Sequence, residues 1–188
     1  MNWMDELRGY LPQSPQEEAD RALMLELGEG DPAGLLTRDN RLAHLTSSGF
    51  VLNPTLDKVL MAYHNIYQSW AWTGGHADGD PDLLAVALRE AKEETGIRLV
   101  EPLTPALASA DILTVEGHLR RGVWVSAHLH LNFTYLLVAP EDQVLRHRPA
   151  ENQSVAWLPL DRLGELCSEP EMLPVYHKLA QRARSLPR

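Results

Sequence analysis

The pattern of hydrophobic and polar positions divides the chain into a helical beginning, a strand-rich middle and a helical end. Hydrophobic residues recur at every fourth position from Trp3 to Leu11, which is typical of a helix. Ser14-Pro15-Gln16-Glu17 has the form of a capping box and opens a second helical segment that reaches Leu27. We therefore expect residues 1–40 to form a helical arm, which either packs on the core or supplies a dimer surface.

Runs of hydrophobic and β-branched residues predict strands in the middle of the chain. Strands are predicted at residues 45–52, 59–63, 106–115, 123–139 and 155–157, and helices follow at 160–166 and 171–185. The turn 53–58 joins the first two strands into a hairpin, and the loop 116–122 separates the next two. Strands and helices mixed in this way favour a mixed sheet covered on both faces, formed by a single domain over residues 41–188.

A glycine-rich loop that leads into an acidic helix lies at residues 75–97. Asp80 can cap the helix, Pro81 suits its first position, and Gly96 can supply the left-handed stop. The helix is therefore predicted from about Pro81 to Thr95. Helical spacing gives it an apolar stripe for burial, made of Leu84, Leu88 and Ala91 with Leu83 and Ala87 beside them.

Three carboxylates share another face of this helix. Glu90, Glu93 and Glu94 stand at i, i+3 and i+4, where like charges repel one another. Arg89 is expected to reach only Glu93, at i+4. A hard divalent cation such as Mg²⁺ or Mn²⁺ would compensate the remaining charge and bring substrate phosphate with it. The alternative interpretation is a solvated acidic helix face.

Composition narrows the classes of partner. The 188 residues are 44% hydrophobic and 23% charged, as in an ordinary globular protein, and the net charge of −9 argues against binding to a nucleic-acid polymer. No apolar run approaches about 18 residues and the N-terminus does not resemble a signal peptide, so we expect no membrane partner and a cytoplasmic location. Cys167 is the only cysteine and is expected to be an inert thiol.

The acidic helix and its loop resemble a Nudix box. The family pattern is G-x5-E-x7-R-E-U-x-E-E-x-G-U, with U aliphatic, and the matching residues here are Gly75, Arg89, Glu90, Ala91, Glu93, Glu94, Gly96 and Ile97. The first glutamate of the pattern falls on Pro81. If that glutamate supports Arg89 in related proteins, Asp80 or Asp82 can take its place. The resemblance implies an α/β/α Nudix sandwich with a mixed sheet, to which the N-terminal arm is an addition.

The resemblance also implies an activity. It implies an Mg²⁺-dependent hydrolase that cleaves a pyrophosphate bond in a nucleoside diphosphate linked to another moiety. Glu93 and Glu94, with Glu90 and the carbonyl of Gly75, would hold the metal; Glu90 is also a candidate base, and Arg89 would orient the carboxylates. An inactive nucleotide-binding regulator or interaction module on the same scaffold is the alternative. Isopentenyl diphosphate isomerase is a third possibility, but Cys167 is poorly placed for its chemistry.

Five residues outside the box are candidates for substrate contact. His128 and His130 share the polar face of a strand, where they either line a polar cleft or, with a carboxylate, bind zinc or iron. Arg120 and Arg121 occupy a loop, where they either are solvated charges, the more typical case, or place a guanidinium to hold a terminal phosphate. Glu151 precedes a Trp-Leu-Pro-Leu run, and many Nudix proteins have an acidic residue in a similar place, which suggests a base or fourth ligand. Glu141 and Asp142 are its rivals.

Aromatic residues precede the box. A base-stacking role is conceivable for them, but a place in the core is more typical of aromatic residues beside a sheet. They are Tyr63, Tyr67, Trp70 and Trp72. A small nucleotide-derived substrate is the expected partner, and a homodimer is possible.

Overall fold

The computed structural model describes residues 2–66, 68–120 and 122–186. Its helices are α1 (Trp3–Gly9), α2 (Pro15–Gly30), α3 (Leu83–Thr95), α4 (Leu163–Leu166) and α5 (Leu173–Ser185), with 3-10 turns at Gly34–Leu36 and Leu160–Arg162. Its strands are β1 (Ala43–Leu52), β2 (Lys58–His64), β3 (Trp70–Ala71), β4 (Thr73–His76), β5 (Glu101–Pro102), β6 (Ser109–Val115), β7 (His118–Arg120), β8 (Val123–Val125), β9 (His128–Val138) and β10 (Asn152–Pro159).

Eight of these strands form one mixed sheet. Its main path runs β10-β2-β1-β9-β5, and β3, β4 and β6 pair with β2, β1 and β9 respectively. β1 and β9 run parallel over their full shared length, and the other pairings in this sheet are antiparallel. The predicted hairpin is confirmed, with Leu52 opposite Val59. The predicted loop 116–122 contains β7, which pairs with β8 in a small separate hairpin.

Each face of the sheet has its own hydrophobic core, because successive residues of a strand point to opposite sides. On the first face, β1 and β9 contribute Leu45, Val51, Leu131, Phe133, Tyr135 and Leu137, which are buried with residues of α3 and the N-terminal arm. On the second face, Phe50, Leu52 and Leu136 are buried with residues of α5. Helices therefore cover both sides of the sheet, which confirms the predicted α/β/α architecture with an N-terminal helical arm.

The arm packs on the core, which was one of the two alternatives. Trp3 is 2% exposed and meets Phe133 edge to face, with ring centroids 6.2 Å apart. Ser14 caps α2 as predicted, since its Oγ accepts a hydrogen bond from the backbone N–H of Glu17. The carboxylate of Glu17 returns to the N–H of Gln13, one residue before the cap. Whether the arm also forms a dimer surface, and whether 1–40 and 41–188 are separate units, stay predictions.

A group of four charges, two buried carboxylates and two half-buried cations, joins the arm to the last helix. Glu17 on α2 and Asp111 on β6 are both fully buried and meet Lys178 and Arg182 of α5. The Glu17 carboxylate lies 2.9 Å from Lys178 Nζ and 2.8 Å from Arg182 Nη2. Burial alone would raise the pKa of Glu17, but hydrogen bonds from Arg182, Gln13 and Lys178 lower it to about 2. This ion-pair group thus holds the helical arm against the sheet edge and α5.

The acidic helix begins later than the sequence predicts. α3 starts at Leu83, and its N-cap is Asp82, whose Oδ1 accepts the N–H of Ala85. The predictions of Asp80 as the cap and Pro81 as the first helical residue are therefore wrong. Asp80 instead accepts the N–H of Asp82, so both aspartates organise the loop before the helix. The predicted end is confirmed, because Gly96 has a φ of 75° and donates to the carbonyl of Lys92.

Among the residues that the structure describes, no helix is long and apolar enough to cross a membrane.

Candidate functional site

The buried face of α3 carries a carboxylate at its end. Leu83, Ala87 and Ala91 are each at most 1% exposed, and Glu94 continues their stripe at 6% exposure. The predicted stripe is thus partly wrong, since Leu84 and Leu88 are only partly buried at its margin. Glu94 Oε1 accepts the backbone N–H of Gly74 at 3.0 Å. Burial, opposed by this hydrogen bond and reinforced by the charges of nearby glutamates, raises the pKa of Glu94 to about 8.

Glu90 lies one turn before Glu94 and packs against the backbone of β4. A Cβ atom added at Gly75 would stand 2.6 Å from Cδ of Glu90, so only glycine leaves room for the carboxylate here. The Glu90 side chain is 17% exposed. Burial raises its pKa, and the neighbouring Glu93 raises it further. The structure thus brings Gly75, Glu90 and Glu94 together, as the sequence predicts.

Arg89 has partners other than the predicted one. Its Nη1 lies 3.2 Å from Oδ2 of Asp80, and its Nε lies 4.0 Å from Oε1 of Glu90. The expectation that Arg89 reaches Glu93 is therefore wrong, because the guanidinium points back towards the loop before the helix. Of the two candidates for the role of the missing box glutamate, Asp80 contacts Arg89, whereas Asp82 serves as the helix cap.

A second arginine, which the sequence analysis did not single out, reaches the acidic cluster from a distant loop. Arg148 Nη1 donates to Glu93 and to Glu151, both at 3.2 Å. Glu151 also raises the pKa values of Glu90 and Glu94 through its charge. Its rival Glu141 pairs instead with Lys58 on another part of the surface. The structure therefore places Glu151, and not Glu141, beside the box carboxylates.

The charge balance of this cluster suits a divalent cation. Two guanidinium groups, those of Arg89 and Arg148, face five carboxylates, which belong to Asp80, Glu90, Glu93, Glu94 and Glu151. Hard cations such as Mg²⁺ prefer this kind of all-oxygen donor set. Because residue 75 is a glycine, the backbone there lies close to the Glu90 carboxylate and can contribute its carbonyl oxygen as a further donor. The residues therefore fit such an ion in charge and in donor chemistry.

Comparison with models of protein families shows to which family the chain belongs. The model of the NUDIX domain matches residues 43–179, which include the whole sheet-forming part of the chain and the acidic helix. The chain belongs to the NUDIX family. The predicted family is thereby confirmed, and NUDIX hydrolases generally use divalent metal ions.

Known NUDIX proteins resemble this one in sequence and in fold. The asymmetrical bis(5'-nucleosyl)-tetraphosphatase of Rattus norvegicus is 28% identical over 121 residues, which cover 64% of this chain and 76% of the relative. A C. elegans Ap4A hydrolase shares the fold with a TM-score of 0.58 at 16% identity, over 76% of this chain and 98% of its own. A NUDIX hydrolase from Clostridium perfringens gives 0.54 at 22% identity, over 76% and 97% of the two chains. The two structures show that the fold is shared, and the family together with the sequence relative supports a pyrophosphohydrolase that acts on nucleoside diphosphate derivatives.

Four histidines of this NUDIX protein lie together on the sheet face opposite α3. His128 and His130 of β9 do share a face, as predicted, and their Nε2 atoms are 3.3 Å apart. His44 on β1 and His76 on β4 join them, and the ring centroids of the contacting pairs are 4.8 to 5.1 Å apart. The sequence analysis did not single out His44 or His76. Their strands are remote in sequence from β9, and only the pairing of the sheet brings them there.

The other candidate residues lie away from the carboxylates or outside the described part of the chain. Trp70 and Trp72 pack against the second core, where Trp72 meets Tyr176 edge to face at 5.4 Å, so the core interpretation holds for both. Tyr67 and Arg121 lie outside the described residues. Arg120 ends β7, opposite Val123 of β8. Its predicted contact with phosphate remains untested.

Cys167 has the environment of a structural thiol. It is 6% exposed in the second core, among residues of α5. Burial, with the charge of Glu169, raises its pKa to about 11. A thiol that stays protonated is a poor nucleophile. This agrees with the expectation of an inert cysteine and weighs against isomerase chemistry.

Proposed function

We propose that this protein hydrolyses a pyrophosphate bond in a nucleoside diphosphate linked to another moiety, with Mg²⁺ or Mn²⁺ held by Glu90, Glu94 and the backbone of Gly75. The observation that carries the proposal is the position of two carboxylates against the glycines of β4, the buried one of Glu94 and the half-buried one of Glu90. Among the described residues, two arginines of this cluster face five carboxylates. Glu93 and Glu151, which Arg148 holds at the margin of the cluster, complete the oxygen donors. The bound ion supplies neutralisation of phosphate charge and a lowered pKa for water.

The side chains of the cluster have separate tasks in this proposal. Asp80 holds Arg89, and Arg89 in turn positions the Glu90 carboxylate. The N–H of Gly74 fixes the orientation of Glu94. Because burial raises the pKa of Glu90, this carboxylate accepts a proton more readily than an exposed glutamate and is the first candidate for the base that takes a proton from the attacking water. Glu151 is the second candidate for that base, and Arg148 controls its position.

The chemistry of the carboxylate cluster accounts for binding of the diphosphate part of a substrate and leaves the attached groups open. The resemblance to asymmetrical bis(5'-nucleosyl)-tetraphosphatases supports testing dinucleoside polyphosphates first. Arg120 and Arg121 are the further candidates for contact with such a substrate. His128 and His130, the other candidates, lie on the sheet face opposite the carboxylates. A cytoplasmic location and a homodimer belong to the same proposal and are open to direct test by fractionation and by light scattering.

The test is a phosphate-release screen with Mg²⁺ and Mn²⁺ over dinucleoside polyphosphates, sugar nucleotides and nucleoside triphosphates. Glu90→Gln and Glu94→Gln should each lower kcat/KM by more than about 100-fold, since each removes a metal-binding charge while preserving shape. Glu165→Gln is the matched control, because this exposed glutamate lies outside the cluster and pairs with the nearby Arg162. Tight nucleotide binding without turnover by the wild type would favour the alternative of an inactive binding module.

A further inference from the structure

The histidines on the face opposite α3 form a compact ligand set. His44, His76 and His130 each offer a ring nitrogen, and these three nitrogens all lie within 4.8 Å of one another. Strand pairing fixes the arrangement: His44 stands opposite His130 in the parallel pair β1–β9, and His76 stands opposite Thr46, two residues along from His44. The three imidazoles therefore converge from three neighbouring strands of a rigid sheet.

The ring of His44 is oriented as a ligand would be. Its Nδ1 lies 3.0 Å from the backbone carbonyl of Asn40, and because a carbonyl only accepts, Nδ1 must carry the proton. Nε2 is then left with its lone pair. This residue is 5% exposed, and its Nε2 is buried without a hydrogen-bond partner among the described residues. Metal-binding histidines use the same arrangement, with one nitrogen donating to a carbonyl and the other facing the metal.

We propose that His44, His76 and His130 bind a divalent transition-metal ion of the zinc class, at a site separate from the carboxylate cluster. Imidazole nitrogens without a carboxylate suit Zn²⁺, Co²⁺ or Ni²⁺ and do not suit Mg²⁺. A tetrahedral zinc site has bonds of about 2.0 Å and hence about 3.3 Å between ligand atoms, so ring rotations of roughly 1 Å would close the triad. His128, with its Nε2 3.3 Å from that of His130, stands where a fourth ligand would be.

The charge state of the cluster agrees with this geometry. Burial, and then the neighbouring histidines, lowers the pKa of His130 to about 2. Burial lowers the pKa of His44 as well. Both rings are therefore neutral at physiological pH, the form that binds metal.

The site is also set apart from the proposed Mg²⁺ site by the sheet itself. A Cβ at Gly75 would face Glu90, so the next residue of the strand, His76, faces the other side. An ion bound to the histidines would link β1, β4 and β9 directly behind the two glycines that contact the carboxylates. The two sites can therefore be emptied and filled independently.

The experiment is a titration of EDTA-treated, dialysed protein with Co²⁺ in the presence of excess Mg²⁺, followed by the visible absorption of the bound cobalt. We expect one equivalent of Co²⁺ to bind, Zn²⁺ to displace it, and Mg²⁺ not to. His130→Ala and His76→Gln should weaken Co²⁺ binding by more than about 100-fold, because even the loss of an outer partner costs 10- to 100-fold. The exposed His177→Ala is the matched control and should bind like the wild type.

Two results would overturn the proposal. The first is wild-type absorption no stronger than that of His76→Gln, which would leave the histidines as the lining of a polar cleft. The second is cobalt binding that survives in the histidine variants but disappears in Glu90→Gln and Glu94→Gln, which would put the ion at the carboxylates. Circular dichroism of each variant checks its fold. Because no step needs turnover, the result does not depend on the proposed hydrolase activity.

Discussion

The buried carboxylate of Glu94 gives a prediction about stability that needs no substrate. In metal-free protein its pKa is about 8, against an ordinary value of 4.5. A carboxyl that binds its proton more tightly in the folded state stabilises the fold fully below about pH 4.5, and this contribution is lost as the pH rises through 8. Glu94→Gln mimics the protonated acid, since the amide oxygen can still accept the N–H of Gly74. The variant should therefore keep its stability at high pH.

The size of the effect follows from the two pKa values. Between about pH 6 and pH 9 the wild type should lose about 1 to 3 kcal/mol that Glu94→Gln retains. For a chain of this length the difference corresponds to roughly 3 to 10 °C in melting temperature. Added Mg²⁺ should reverse the order at high pH, because the ion binds the ionised carboxylate of the wild type and stabilises only the folded state.

The measurement is thermal unfolding of both proteins at several pH values, with EDTA and with Mg²⁺. Glu93→Gln is the matched control. Glu93 lies on the same helix but its side chain is 45% exposed, so the effect of this substitution on the free energy of unfolding should vary little with pH. Parallel pH curves for the wild type and Glu94→Gln in EDTA would refute the argument from burial. Equal responses of these two proteins to Mg²⁺ would remove Glu94 from the proposed metal site.

Three further predictions follow from single contacts. Arg89→Ala and Asp80→Asn should lower hydrolysis to a similar extent, and the double variant should lose little more, because each change breaks the same ion pair; additive losses in kcat/KM would show that the pair does not act as one. Gly75→Ala should abolish most activity, since its methyl would collide with a carboxylate, while Gly164→Ala, which meets open space, should not. On acidification the folded state should lose up to about 3 kcal/mol from about pH 4.5 down to pH 2, as Glu17 with its lowered pKa takes up a proton; urea denaturation of Glu17→Gln should lack this step.

Local patterns were sufficient for most of the fold and for the carboxylates. The hairpin, the strands of the middle region and the acidic helix follow from alternation, turn residues and helical spacing, which are properties of neighbouring positions. The same spacing also held a signal that the analysis missed. Glu94 is placed to extend the stripe of Leu83, Ala87 and Ala91, which marks it as the most buried of the acidic residues.

The remaining features of the site depend on contacts between distant parts of the chain. Arg148 reaches Glu93 from a loop after β9, and no local pattern connects those positions. His44 and His76 meet His130 only because β1 pairs with both β4 and β9 in one register. The start of α3 was misplaced for a more local reason. Both Asp80 and Asp82 can cap the helix, and the sequence does not tell that Asp80 binds Arg89 and leaves the cap to Asp82.

The four charges between α2, β6 and α5, of which the two carboxylates are fully buried, should constrain which residues can change together during evolution. If Glu17 were lost while the arm stayed in place, Asp111 would be the carboxylate left for Lys178 and Arg182 in a site that the arm shields from water. An unbalanced buried charge of this kind costs about 3 to 5 kcal/mol, a large part of the stability of a typical domain. The acidic residue of α2 and the two cations of α5 are therefore expected to be inherited together. Homologues that keep the arm but lack an acidic residue at position 17 should carry apolar or neutral residues in place of Lys178 and Arg182, and a homologue with the arm and both cations but no such acid would contradict this interdependence.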